Sequence, residues 1–122
     1  MAEHPIVHVE FSAQDLEAAG RFYSELFGWK IQPAPEMNYA LFEAPPGPGG
    51  GFPKVDGEMI RAGDVLVYIG TDDIDATLAK AESLGGKTLV PKMEIPNIGW
   101  WAAFADPTGN RVGLFTGMGG QA

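Results

Sequence analysis

The chain is written twice, and that repetition restricts its fold more than any single motif does. Displaced by 58 positions, "VHVEFSAQDLEAAGRFYSELFGWK" lies over "VLVYIGTDDIDATLAKAESLGGKT" without a gap. Val7 then falls on Val65, Val9 on Val67, Asp15 on Asp73, Ala18 on Ala76, Leu26 on Leu84 and Gly28 on Gly86. Displaced by 62, "YALFEAPPGPGGGF" lies over "WAAFADPTGNRVGL", which matches Ala40 to Ala102, Phe42 to Phe104, Pro45 to Pro107, Gly47 to Gly109 and Gly51 to Gly113. The change in offset is a small insertion in the loop between the two matched stretches. A repeat of this length implies one supersecondary unit used twice.

Each copy reads as strand, helix, then three strands. Residues 6–11 alternate apolar and polar, as a half-buried strand does. From Asp15 to Phe27, Leu16, Ala19, Tyr23 and Leu26 recur at helical spacing, opened by Ser12 and Asp15 and closed by Gly28. Strands are expected near 29–33, 38–43 and 50–54, the last two joined by the turn-forming run "APPGPGG". The second copy predicts a strand at 65–69, a helix from Asp73 to Leu84, and strands near 87–91, 100–105 and 111–116, with "DPTGN" as the final turn. The expected fold is one α+β domain over 1–122, built from two βαβββ modules, 1–58 and 59–122. Their curved mixed sheets would carry helices on one face and leave a concave face for a ligand.

Composition removes several classes of function. With 45% hydrophobic and 20% charged residues, the 122-residue chain has the balance of a globular domain able to bury a core. Sixteen acidic against eight basic residues give a formal charge of −8, the wrong sign for nucleic acid. That acidity either favours a cationic ligand or only keeps the protein soluble. The absence of cysteine excludes disulfides, thiolate metal sites and a cysteine nucleophile. No apolar run reaches membrane-spanning length and no signal-peptide pattern opens the chain, so no membrane partner and a cytoplasmic location are expected.

Two stretches, "DLEAAGRFYSELFGW" and "FADPTGNRVGL", are similar to the first helix and terminal hairpin of the vicinal oxygen chelate superfamily. That superfamily includes glyoxalase I, extradiol dioxygenases and bleomycin-resistance proteins, and the resemblance covers nearly the whole chain, closest to small single-domain glyoxalase-like members. It implies a homodimer, from a paired or swapped arrangement of modules. It also implies four inward-facing metal-ligand positions on the first and last strand of each copy. Here they fall on His8, Gly51, Leu66 and Gly113, with Gly51 placed through a loop of variable length. One imidazole is too few: catalytic zinc usually has three protein ligands, and non-haem iron commonly two His and a carboxylate. His4 lies about 13 Å along the strand from His8; Glu10, about 6.6 Å away, gives at most a weak two-ligand site, which falls short of a chelate enzyme. No metal and no cofactor are expected.

The alternation on the first strand turns Val7, Val9 and Phe11 toward the helices and His8, Glu10 and Ser12 the other way. Leu66 and Tyr68 hold the matching places in the second copy, with Arg111, Gly113 and Phe115 on the last strand. Apolar walls with a few convergent polar groups are the usual small-molecule site. The candidate ligand-binding residues are therefore His8, Glu10, Gly51, Leu66, Tyr68, Trp100, Trp101, Arg111 and Gly113. His8 and Glu10 are also the candidates for catalysis, either as a base oriented by a carboxylate or as polar anchors for a bound molecule. Adjacent Trp100 and Trp101 should face opposite ways, so that one packs and the other meets ligand. "KMEIPNIG" (92–99) reads as a connection, either arching over a pocket mouth or simply crossing the surface. "GPGGGFPK" lacks the P-loop spacing, and no serine has a nucleophile's context. Sequestration of a small, partly apolar molecule is the expected function; the rival is a small-molecule enzyme of lyase, isomerase or dioxygenase type, using His8 as base or a recruited divalent metal.

Overall fold

Two aspartates start the two helices. In the computed structural model, which describes residues 3–118, Asp15 accepts a hydrogen bond from the Ala18 amide at 3.0 Å and Asp73 accepts one from the Ala76 amide at 3.0 Å. Each satisfies an amide that the first helical turn would leave unpaired, a contribution of about 1 kcal/mol. Helix α1 (Leu16–Phe27) ends at Gly28, whose left-handed φ of 77° lets its amide bond back to the Ser24 carbonyl at 2.8 Å. Helix α2 spans Ile74–Ser83.

The element order is two βαβββ modules: β1 (Ile6–Phe11), α1, β2 (Lys30–Ala34), β3 (Tyr39–Glu43), β4 (Gly50–Pro53), then β5 (Val65–Gly70), α2, β6 (Lys87–Ile95), β7 (Gly99–Ala105), β8 (Arg111–Gly117). The chain forms two compact units, residues 8–66 and residues 67–118 with the N-terminal 3–7. This α+β arrangement is the one the repeat predicted.

In the first unit the strand order is β2-β3-β4-β1, with β1 parallel to β4 and β3 antiparallel to both its neighbours. The parallel register, Val9 with Gly50 and Glu10 with Gly51, is extended by a bridge between Ala13 and Lys54. The core lies between α1 and the sheet: Ala13, Ala40, Phe42 and Phe52 are buried, with Phe11, Leu16, Tyr23, Trp29 and Ile31 packed on them. Trp29 stacks on Phe42 with ring centroids 4.4 Å apart, and Tyr23 on Trp29 at 5.3 Å. Gly20 is buried on α1 because Ile31 packs at that point, where even a methyl group would stand 3.1 Å from it.

In the second unit the order is β5-β8-β7-β6, again with one parallel pair, β5 with β8. Ile74, Leu78, Ala102 and Leu114 form its core, joined by Ile69, Trp100 and Phe104. Buried Thr116 donates to the Thr71 carbonyl at 2.6 Å, so its hydroxyl is satisfied. Asp106 organises the turn before β8, accepting from the Thr108 and Asn110 amides and from the Asn110 side chain. Its hydrogen bonds from Asn110, and then from Thr108, lower its pKa to about 2.

One expectation is corrected. Residues 92–99 are not a free connection: β6 continues through Met93, Glu94 and Ile95, paired with Trp101, Trp100 and Gly99 of β7. Only Pro96, Asn97 and Ile98 turn the chain, with the Ile98 amide bonded to the Ile95 carbonyl at 2.9 Å and Asn97 at a left-handed φ of 67°. Pro91 lies inside this strand. It is tolerated because β6 pairs with a single strand in this unit and its register shifts between Val90 and Met93, the irregular edge position where proline's missing donor costs least. Among the described residues no helix is long and apolar enough to cross a membrane.

Candidate functional site

Alternation on β1 has the consequence the sequence predicted. Phe11 packs on the α1 core, and His8 and Glu10 project from the opposite face of the sheet. They meet there on Tyr39 of β3. His8 Nε2 lies 2.7 Å from the Tyr39 hydroxyl, and that hydroxyl donates to Glu10 Oε2 at 2.8 Å. The imidazole and phenol planes are nearly parallel, 10° apart, with centroids at 6.5 Å. All three side chains are half-buried.

Tyr39 and His8 are on strands that do not pair with each other; β4 runs between them. The residue of β4 beneath the phenol is Gly51, in register with Glu10 on one side and Leu41 on the other. A Cβ built on Gly51 would collide with the Tyr39 hydroxyl and its two nearest ring carbons. The missing side chain therefore opens the gap through which the phenol crosses β4 to reach β1. Burial pushes the His8 pKa below the ordinary imidazole value of 6.5, because desolvation penalises the imidazolium.

The second unit also sets an aromatic ring over the glycine of its last strand, but there the ring comes from the first strand of the module. Under the 62-residue displacement Tyr39 corresponds to Trp101, and under the 58-residue displacement Glu10 corresponds to Tyr68. Tyr68 is buried in register with Gly113, and a Cβ on Gly113 would collide with the Tyr68 ring. Trp101 meets Tyr68 edge-on, with centroids 6.5 Å apart at 63°. The adjacent tryptophans do split: Trp101 sides with Tyr68, and Trp100 packs on the α2 core with Lys92 Nζ 5.3 Å from its ring.

The structure thus gathers His8, Glu10 and Gly51 in one unit and Tyr68, Trp101 and Gly113 in the other. Leu66 is half-buried on β5, and Arg111 is exposed at the start of β8, opposite Ala105. Tyr39 was missed. Its signal was in the repeat, since its partner Trp101 was already a candidate. A groove of about 660 Å³ along α1 is lined by Leu16, Gly20, Arg21, Ile31, Pro33 and Tyr39 among others; His8 and Glu10 do not line it.

Of the four positions that carry metal ligands by the superfamily resemblance, only His8 bears a donor. Above Gly51 and Gly113, where ligand side chains would rise, stand the rings of Tyr39 and Tyr68. Among the described residues no three His, Asp or Glu side chains are grouped to hold an ion.

Comparison with known proteins agrees with the fold. Residues 5–45 match the family model for the bleomycin resistance protein-like N-terminal region. The chain is 35% identical over 123 residues to a glyoxylase-like domain-containing protein of Didymella fabae, covering 91% of this chain and 92% of that one. It is 30% identical to the glyoxylase-named protein CFP32 of Mycobacterium tuberculosis over 88% of this chain, which spans only 43% of that relative's length. Among solved structures, the Mn(II)-bound glyoxalase from Novosphingobium aromaticivorans superposes with a TM-score of 0.66 at 20% identity, over 91% of this chain and 38% of that one. With two βαβββ modules in sequence and a full-length relative above 30% identity, the chain belongs to the vicinal oxygen chelate superfamily of glyoxalases, bleomycin-resistance proteins and dioxygenases.

Proposed function

We propose that this protein binds a small, partly apolar molecule on the sheet face that carries His8, Tyr39 and Glu10, without a resident metal. The observation that carries the reading is the hydrogen-bonded chain laid across Gly51. It supplies a few oriented polar groups on a face that also bears Leu41, the pattern of a ligand site. The donor set does not fit a divalent ion. One of the four positions carries an imidazole, and aromatic rings stand over two of the others. Sequestration fits that chemistry. The second reading, metal-free catalysis, is favoured by the same chain: a neutral imidazole backed by phenol and carboxylate is an arrangement able to move a proton.

The test pairs two measurements on the purified protein. Elemental analysis should find zinc, nickel, manganese and iron well below one per chain, and chelator should leave Tm unchanged. A fragment panel followed through the His8 imidazole resonances should give saturable shifts that His8→Ala weakens by about 0.5–1.5 kcal/mol if the bond is neutral. One metal per chain that is lost in His8→Ala overturns the metal-free reading. A panel in which no fragment moves those resonances overturns the site. Should a substrate be found, loss of turnover in His8→Ala with affinity unchanged decides for catalysis.

A further inference from the structure

The unit formed by residues 67–118 and 3–7 contains a cavity of about 390 Å³, a volume in the range of small-molecule sites. Pro5, Val7 and the half-buried ring of Phe115 give it apolar walls. Two exposed carboxylates, Glu3 and Asp72, also line it, and no lysine, arginine or histidine is among its lining residues. We propose that this cavity is a second binding site, distinct from the His8 face, for a small organic cation: an ammonium group carried on a compact aryl or alkyl body.

Two glycines keep the cavity open. Gly70 and Gly117 both line it, and neither has a positive φ, so the backbone does not require glycine at either position. Inside a strand glycine is less favourable than a residue with a side chain. A Cβ on Gly70 would stand 3.2 Å from Val7 Cγ1, and one on Gly117 would stand 3.7 Å from Phe115 Cε2, so larger side chains would compete for the space these walls enclose. The N-terminal segment is moored to β5: the Gly70 amide donates to the Pro5 carbonyl at 2.8 Å, and His4 Nδ1 donates to the Gly70 carbonyl at 3.1 Å. That mooring brings Glu3 to the same cavity as Asp72. Phe115, in register with Gly70, adds an aromatic ring whose π faces carry partial negative charge. A cation in the cavity is therefore attracted by the ring and by both carboxylates, and the formal charge of −8 on the chain acts in the same sense. An anion is repelled by each of these groups, and a neutral molecule gains only the apolar contacts.

The experiment is ¹H–¹⁵N correlation spectroscopy of the full chain, titrated separately with benzyltrimethylammonium, benzyl alcohol and phenylacetate. These are a cation, a neutral molecule and an anion on one benzyl frame. The reporters are the amides of Gly70, Thr71 and Gly117, which border the cavity. Benzyltrimethylammonium should shift them saturably and bind about fivefold or more tightly than benzyl alcohol, and phenylacetate should leave them unmoved. Asp72→Asn and Glu3→Gln should each weaken the cation by about two- to fivefold, the worth of an exposed charge pair. Phe115→Leu should weaken it by a similar factor, which attraction to the acidic surface alone would not produce. Gly117→Val should abolish the shifts at Gly70 and Thr71 with the rest of the spectrum unchanged; if that variant does not fold, Phe115→Leu and Asp72→Asn decide alone. The imidazole resonances of His8 report separately on the other face. Shifts that do not saturate at the three reporters, equal affinity for benzyl alcohol, or unchanged affinity in both Phe115→Leu and Asp72→Asn overturn the proposal.

Discussion

Gly51→Ala should break the His8–Tyr39–Glu10 chain without touching any residue in it. Gly51 has no left-handed backbone requirement, so alanine is locally acceptable there, and the replacement would by itself gain about 0.5–1 kcal/mol by reducing the freedom of the unfolded chain. Against this, the new methyl group occupies the volume of the Tyr39 hydroxyl and outer ring. The phenol must leave, and with it go the bonds of 2.7 and 2.8 Å. The neutral bond contributes about 1 kcal/mol and the bond to the carboxylate about 2 kcal/mol. The net expectation is a loss of about 2 kcal/mol, a fall in Tm of about 8 °C for a domain of this size. The assay is urea and thermal unfolding followed by circular dichroism, run as a double-mutant cycle with Tyr39→Ala. Once the ring is gone the methyl group has nothing to displace, so Gly51→Ala in the Tyr39→Ala background should be neutral or stabilising by about 0.5–1 kcal/mol. The coupling between the two positions should therefore be about 2–3 kcal/mol. If Gly51→Ala costs the same in both backgrounds, or nothing in the parent, the glycine does not serve the tyrosine and the account of the site fails.

Burial lowers the His8 pKa, so the unfolded chain binds its proton more readily than the native state does. Stability should be independent of this group above pH 6.5, fall as pH drops from there through the folded-state value, and level off below it; His8→Gln should flatten that limb in unfolding measured across the range. The homodimer implied by the family resemblance should appear in sedimentation equilibrium at micromolar concentration as about twice the 13.0 kDa chain mass. A mass equal to one chain would exclude it.

The elements were legible because their signals are local. Asp15 and Asp73 cap helices wherever a chain of this pattern is read, and Gly28 ends one by its own backbone freedom. The parity of His8 and Glu10 was equally legible, since strand alternation needs no knowledge of neighbours. Tyr39 was not, because its role depends on three strands in register and on the side chain that Gly51 lacks. No window along the chain contains that relation. Only the comparison of the two copies, with Tyr39 on Trp101 and Gly51 on Gly113, carries a trace of it. The reading of 92–99 as a connection failed for a related reason. Pro91 is a strand breaker in isolation, and it is acceptable here only through the bulged pairing of β6 with β7.

The occupied space above Gly51 also constrains how such a protein changes over generations. A carboxylate or imidazole introduced at position 51 could not rise from the sheet as a metal ligand while Tyr39 crosses above it, so Gly51→Glu alone would disrupt the fold before it gained any chelating function. The tyrosine has to be replaced by a small residue first, and that step alone sacrifices stability and offers no metal site in return. Gly113 beneath the Tyr68 ring sets the same order of events in the other copy. Installing ligand side chains at both glycines would cross two such valleys, one in each half of the chain, so neither position is within reach of a single substitution.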